Sequence, residues 1–199
     1  MDEASLIAAS QEGRVAAFNA LVERYQTLVY NVAYRILGDG DAAADATQDT
    51  FIAAYEGLSR FRGGSFRAWL LRIATNNCYD QLRARRQRRQ DSLEDILEGG
   101  DDLDLASDQR LTPENFALSA EMLEAIAEGL QALPVDQRAA VVLSDVQGLS
   151  YEEIAEVMGC SLGTVKSRLS RGRARLRDIL LRQRELLPSR LRLLHGETQ

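Results

Sequence analysis

Residues 91–113, "DSLEDILEGGDDLDLASDQRLTP", set the strongest limit on how this chain can fold. Nine acids and one base, Arg110, fall between Asp91 and Glu114. The stretch contains a Gly-Gly pair and ends in proline. Its leucines are isolated, so no face is wide enough to pack on a core. Such a composition reads as a flexible acidic linker, with room for one short helical turn. It divides the 199 residues into two small helical domains.

The block before the linker is helical by periodicity. Phe18, Leu21, Val22, Tyr25, Leu28, Val29, Val32 and Ile36 recur at three- and four-residue steps, the stripe of an amphipathic helix. "LGDGD" at 37–41 ends it. A second helix is expected to turn Ala44, Phe51, Ile52, Tyr55 and Leu58 inward. "RFRGGSF" interrupts the pattern, and Ser65 is placed to cap a third helix whose apolar side is Phe66, Trp69, Leu70, Ile73 and Ala74. After the linker, Phe116, Leu118, Met122, Leu123, Ile126 and Leu130 form another stripe, and Pro134 opens a further helix. With three prolines and little period-two alternation, the fold class is all-α.

The most specific local signal is "SYEEIAEVMGCSLGTVKSRL". Ser150 and Glu153 have the spacing of a capping box. Ile154, Ala155 and Met158 face inward on a short helix that Gly159 terminates. Ser161 caps a second helix with Leu162, Val165 and Leu169 inward, and Ala155 is small where the two would cross. This is a helix-turn-helix. The N-terminal half of its second helix meets base edges in the major groove. Ser161, Gly163, Thr164, Lys166, Ser167, Ser170 and Arg171 are therefore the candidate contacts to duplex DNA. The plainer alternative is a hairpin packed for stability with its arginines in water.

Charge supports DNA as a partner despite a net charge of −6. "RARRQRR" at 83–89 carries five arginines and no acid, and Gly163–Arg184 holds eight bases against one acid, Asp178. The net acidity comes largely from the linker. In the third helix, Trp69, Ile73, Asn76, Asp80 and Arg83 share one side. Aromatic, amide and cationic groups together suit partly unstacked DNA, and the loop before them leaves room for an extruded base. Trp69 and Ile73 suit a core position equally well.

These residues reach a family. "DATQDTFIAAYEGLSRFRGGSFRAWLLRIATNNCYDQLRARRQR" and "ALPVDQRAAVVLSDVQGLSYEEIAEVMGCSLGTVKSRLSRGRARLR" closely resemble bacterial sigma factors of the extracytoplasmic-function group, over residues 14–90 and 118–182. The resemblance implies that residues 1–90 dock on RNA polymerase and melt the minus-ten element. Asp45, Gln48, Asp49 and Ile52 would meet a basic coiled coil of core RNA polymerase. Phe61, Arg62, Gly63, Gly64, Ser65, Trp69, Ile73, Asn76, Asn77, Asp80 and Arg83 would take melted minus-ten DNA. Residues 114–182 would read the minus-thirty-five element as duplex. The linker, 91–113, would thread toward the polymerase active site, its carboxylates standing in for nucleic acid. Many members are restrained by an anti-sigma protein, so that partner is expected too. The tail 183–199 has no assignable role. The region with which larger members read an extended promoter has no counterpart.

Other classes fit less well. A free-standing dimeric regulator would need a dimer interface from the first block. An enzyme with a DNA-binding tail would need a preorganised site, yet Ser5 and Ser10 lie in a terminus expected to be mobile, and His195 is the only imidazole. No Cys-x-x-Cys occurs, so neither a metal nor another cofactor is expected, and no small-molecule substrate. Cys78 and Cys160 are expected as buried thiols. No secretory signal or membrane span is legible, which points to the cytoplasm without membrane insertion.

Overall fold

The computed structural model describes residues 2–92 and 113–186, with side chains described over 2–88 and 122–182. Most of the expected acidic linker, 93–112, and most of the tail, 187–199, lie outside the described residues. Every regular element among the described residues is helical.

The first block contains α1 (Glu3–Gln11), α2 (Val15–Leu37), α3 (Gly40–Gly57), a short 3-10 turn (Leu58–Arg60) and α4 (Phe66–Ser92). The terminus expected to be mobile is instead α1. Asp2 accepts the Ser5 amide at 2.7 Å, and Leu6 and Ala9 are buried. Tyr25 on α2 donates its hydroxyl to Glu3, and burial together with that carboxylate pushes its pKa up to about 12. Its buried apolar residues, the Tyr25–Glu3 hydrogen bond and two from Gln11 to the Leu58 and Phe61 carbonyls hold a nine-residue helix that would not persist alone.

α2 follows its predicted stripe: Phe18, Leu21, Tyr25, Val29, Val32 and Ile36 are buried. Gly38, with φ of +73°, stops it, as the turn signal required. α3 departs from expectation. Ala42, Ala43, Ala46, Thr50, Phe51 and Ala54 are its buried face, while Ala44, Ile52 and Tyr55 are exposed. Small residues let α3 lie close on α2, and the larger apolar side chains then fall outside the contact. On α4, Phe66, Leu70 and Ala74 join Leu6, Phe18, Leu21 and Phe51 in a first core. Burying a leucine, isoleucine or phenylalanine side chain there stabilises by about 1.5–3 kcal/mol.

The second block contains α5 (Pro113–Gln131), α6 (Val135–Val141) running into wider π-type turns (Val142–Val146), α7 (Tyr151–Met158) and α8 (Leu162–Leu186). Met122 and Leu123, expected inward on α5, are exposed, whereas Leu130 is buried. α6 and α8 cross at Gly172, where a Cβ would lie 2.9 Å from Val141 Cγ2 and 3.2 Å from the Gln137 carbonyl oxygen.

The two blocks pack against each other. One continuous cluster joins Val32, Ile36, Ala68, Leu71 and Cys78 of the first to Leu133, Val142, Leu143, Ile154 and Val157 of the second. α4 thus carries a second buried stripe, Ala68, Leu71, Thr75 and Cys78, besides the one legible in the sequence. Burial pushes the Cys78 thiol up to about 12. Cys160, expected to be buried, is partly exposed.

Candidate nucleic-acid interface

The helix-turn-helix forms as its local chemistry dictates. Ser150 Oγ accepts the Glu153 amide at 3.2 Å, and the Glu153 carboxylate accepts the Ser150 amide at 2.9 Å. Gly159 ends α7 at φ +60°. Ser161 Oγ accepts the Thr164 amide at 3.2 Å and pairs with the Thr164 hydroxyl at 3.0 Å. Ile154, Val165 and Leu169 are buried as expected. Two positions differ: Leu162 is 40% exposed, and Val157 rather than Met158 is fully buried on α7.

The candidate duplex contacts lie along one accessible strip. Ser161, Gly163, Lys166, Ser170 and Arg171 are exposed, and Thr164 and Ser167 are partly so. The basic residues of α8 divide by role. Arg168 donates to Asp136 at 2.6 Å, and Arg173 grips Asp145 and Ser144, so both fasten α8 to α6 and the π-type turns that continue it. The Asp145 hydrogen bond raises the Arg173 pKa. Lys166, Arg171 and Arg175 form no ion pair among the described residues and remain available to phosphate. Lys166, Ser170, Arg173 and Arg177 also line a cleft with Tyr151 at the start of α7. The stability reading thus accounts for Arg168 and Arg173, and leaves Lys166, Arg171 and Arg175 unpaired on the exposed side of the helix.

The first block builds the second surface. Gly63 and Gly64 have φ of +99° and +87°, a backbone that only glycine adopts readily, and they open the loop before α4. Ser65 Oγ caps α4 through the Ala68 amide at 3.1 Å. Gln11 of α1 donates to the Leu58 and Phe61 carbonyls at 3.0 Å and braces the loop from behind. Phe61, Phe66 and Trp69 pack as tilted or edge-on rings with centroids 5.3–5.5 Å apart. A cavity of about 370 Å³ lies over them, lined by Phe61, Arg62, Gly63, Gly64, Ser65 and Trp69. Arg60 and Arg72, not singled out in the sequence, add two more cations.

The remaining candidates on α4 are not equivalent. Asn76 is exposed. Asn77 donates its amide to Thr50 Oγ1 at 3.2 Å, and Ile73 packs on the first core. Asp80 pairs with Arg83 at 2.9 Å. Phe61 is buried, so it forms the floor of the cavity, while Trp69 presents a partly open face.

Asp45, Gln48, Asp49 and Ile52 are all exposed on one side of α3. They border two recesses, and Gln48 lines both. Gln48 and Ile52 border an apolar groove of about 860 Å³ between α2 and α3, which Val15, Tyr30 and Tyr55 enlarge. Asp45 and Asp49 face a polar cleft shared with Arg85 and Arg88 of α4. Phe18, Val22, Ala44, Phe51 and Tyr55 of this groove were expected inward by periodicity, whereas Val15 and Tyr30 were not marked in the sequence.

Among the described residues there is no cluster of three or more side chains arranged to hold a metal ion, and no helix long and apolar enough to cross a membrane.

The two surfaces coincide with two family patterns. Residues 21–89 match the model of sigma-70 region 2, and residues 123–176 match that of sigma-70 region 4. The chain is 40% identical over 177 residues to the ECF RNA polymerase sigma-E factor of Haemophilus influenzae, covering 87% of this chain and 92% of that one. It is 37% identical over 173 residues to the ECF RNA polymerase sigma factor SigE of Mycolicibacterium smegmatis, covering 87% of this chain but only 65% of that protein's length. Among solved structures, the sigma factor RpoE in complex with the anti-sigma factor NepR, from Bartonella quintana, superimposes with a TM-score of 0.68 at 31% identity, over 82% of this chain and 96% of that one. Both family patterns in order, on one all-helical chain aligned over most of its length, place it among the extracytoplasmic-function RNA polymerase sigma factors.

Proposed function

We propose that the chain binds core RNA polymerase, directs it to a subset of promoters and initiates transcription there, with no catalytic activity of its own. The observation that carries this reading is the pairing, on one chain, of two unlike DNA-suited surfaces. One is a helix-turn-helix with a free cationic strip along α8. The other is a cavity of aromatic rings and arginines beside a glycine loop, suited to unstacked bases rather than duplex. A repressor needs only the first. The apolar groove and acidic side of α3 supply a protein-docking face, and acids there suit a basic partner. The comparisons lend no support to a free-standing dimeric regulator.

The domain limits follow from this reading: residues 1–90 for polymerase docking and minus-ten melting, 114–182 for the minus-thirty-five duplex, and 91–113 as the connection. Lys166 and Arg171 supply charge to the upstream duplex, with Ser161, Gly163, Thr164, Ser167 and Ser170 at its base edges and phosphates. The anti-sigma protein bound to the Bartonella relative suggests a partner of the same kind. A promoter-selecting factor works where the nucleoid is, in the cytoplasm. Run-off transcription with the cognate core polymerase, free of any anti-sigma protein, tests the proposal: promoter-specific transcripts are expected, and their absence refutes it.

A further inference from the structure

We infer that Gln11, the last residue of α1, is a positioning residue for the minus-ten pocket. Its side-chain amide bridges two carbonyls at the root of the glycine loop, and so sets where the aromatic floor stands against an extruded base. The inference rests on the reading of that pocket given above. It adds a residue from outside the segment 21–89 that matches sigma-70 region 2.

α1 delivers Gln11 from a fixed turn. The Arg14 amide donates to the Ala9 carbonyl at 3.0 Å and the Gly13 amide to the Ser10 carbonyl at 3.0 Å, with Gly13 at φ +89°. This pair of bonds is a Schellman ending. Leu6, Ala9 and Ser10 are buried on the same helix, and Ser10 Oγ donates to the Leu6 carbonyl at 2.7 Å. The last turn of α1 is thus held both by its own backbone and by the first core.

Gln11 Nε2 lies 3.0 Å from the Leu58 carbonyl oxygen and 3.0 Å from that of Phe61. Both neighbours are acceptors, which assigns the NH2 rather than the oxygen of the amide to this side. A primary amide carries two hydrogens in one plane, so one group serves both carbonyls and fixes the gap between them. The Phe61 amide donates to the Leu58 carbonyl at 3.1 Å and closes the turn. Among the described residues, no other side chain hydrogen-bonds the backbone of 58–64.

The bridged segment meets Trp69 at both ends. At Gly57, the residue before it, a Cβ would lie 3.5 Å from Trp69 Cζ2, and at Phe61 the ring centroids are 5.3 Å apart. Beyond Phe61, Arg62, Gly63, Gly64 and Ser65 are exposed, and a Cβ on either glycine would meet nothing within 4 Å. The loop is therefore packed at its root and open at its tip, and the root decides how ring and tip face a base. Gln11 is itself exposed. Water can satisfy both carbonyls once the amide is removed, so the fold loses little. Separate waters do not hold the two carbonyls at one spacing, and Phe61 is then free to shift against Trp69. The effect falls on base selectivity rather than on stability.

The test uses holoenzyme assembled from the full chain and its cognate core polymerase, with a pool of random-sequence single strands of about 15 nucleotides. Bound strands are recovered and sequenced. Wild type is expected to enrich one base strongly at one position. Gln11→Met keeps the side-chain length and loses the donors, and is expected to cut that enrichment several-fold. Gln11→Lys restores donors and should recover most of it, whereas Gln11→Glu sets a carboxylate against two carbonyls and should do no better than Gln11→Met. Selection from a random duplex pool, which reads the helix-turn-helix, and the urea midpoint of the free chain should be the same in all four proteins. A purely structural role would move the midpoint, or both pools together. Equal single-strand enrichment by wild type and Gln11→Met overturns the inference, as does a loss that Gln11→Lys leaves unrestored or that extends to the duplex pool. A wild type that enriches a duplex element but no single-stranded base refutes the minus-ten reading of the pocket, and the inference falls with it.

Discussion

Arg138→Met should destabilise both blocks, because a single buried guanidinium bonds groups in each. Arg138 is 7% exposed and donates to four acceptors: the Ile36, Gln131 and Leu133 carbonyls and the Gln131 side chain. Hydrogen bonds to a charged group are worth about 1.5–3 kcal/mol each. A cation at a partly buried helix C-terminus adds up to about 2 kcal/mol. These terms share one side chain and do not add. They are also offset by the burial of the charge, which lowers the Arg138 pKa, and by its unpartnered Nε. Methionine fills similar volume, so the loss is polar rather than steric. The net expectation is about 3 kcal/mol, near the low end for breaking a buried charged network. In urea, at an m-value of about 2 kcal/mol per molar, that moves the midpoint down by about 1.5 M. Circular dichroism follows all helices, while Trp69 fluorescence follows the first block. Both transitions should move, since the substituted residue caps α2 from across the interface. Arg138→Lys should fall between, because an ammonium keeps the charge but lacks the planar fork. A midpoint shift below about 0.5 M, or a Trp69 transition that stays in place, would refute the reasoning.

Gly172→Ala sets two effects against each other: alanine improves helix propensity by about 1 kcal/mol, but its Cβ would press on a backbone carbonyl that cannot swing aside. Overpacking of about 1–3 kcal/mol should win, lowering Tm by a few degrees, and a raised Tm in calorimetry would contradict this. Maleimide at pH 8 should label Cys160 in the native chain and Cys78 only after denaturation, because burial holds the Cys78 thiol at about 12, far from its thiolate. Mass spectrometry counts the adducts, and two on the native chain would disagree. Lys166→Ala and Arg171→Ala should each weaken binding to upstream duplex by about 1–3 kcal/mol where a base contact is lost, as read by anisotropy. Asp49→Arg should weaken polymerase binding without altering that duplex affinity, and unchanged polymerase affinity would move the docking face elsewhere.

Local chemistry was legible from the residues alone. Helix ends and the helix-turn-helix depend on bonds between residues three or four apart, so Gly38, Ser65, Ser150, Glu153 and Gly159 announced them. The glycine loop and Trp69 could be assigned to one site for the same reason: they are neighbours in sequence. Which apolar residue faces which partner was not legible. Ile52 and Tyr55 fit an inward stripe, but the alanines of α3 take the contact with α2 and leave them in an open groove. Val157 and Leu71 lay on none of the expected inward faces, and each is buried where the two blocks meet. No sequence signal marked Arg138, yet it caps a helix 102 residues away in sequence. Periodicity fixes the faces of a helix relative to one another. Only the packing of distant segments decides which face is buried, and by what, since that choice depends on side-chain volumes and unpaired carbonyls that no local window contains.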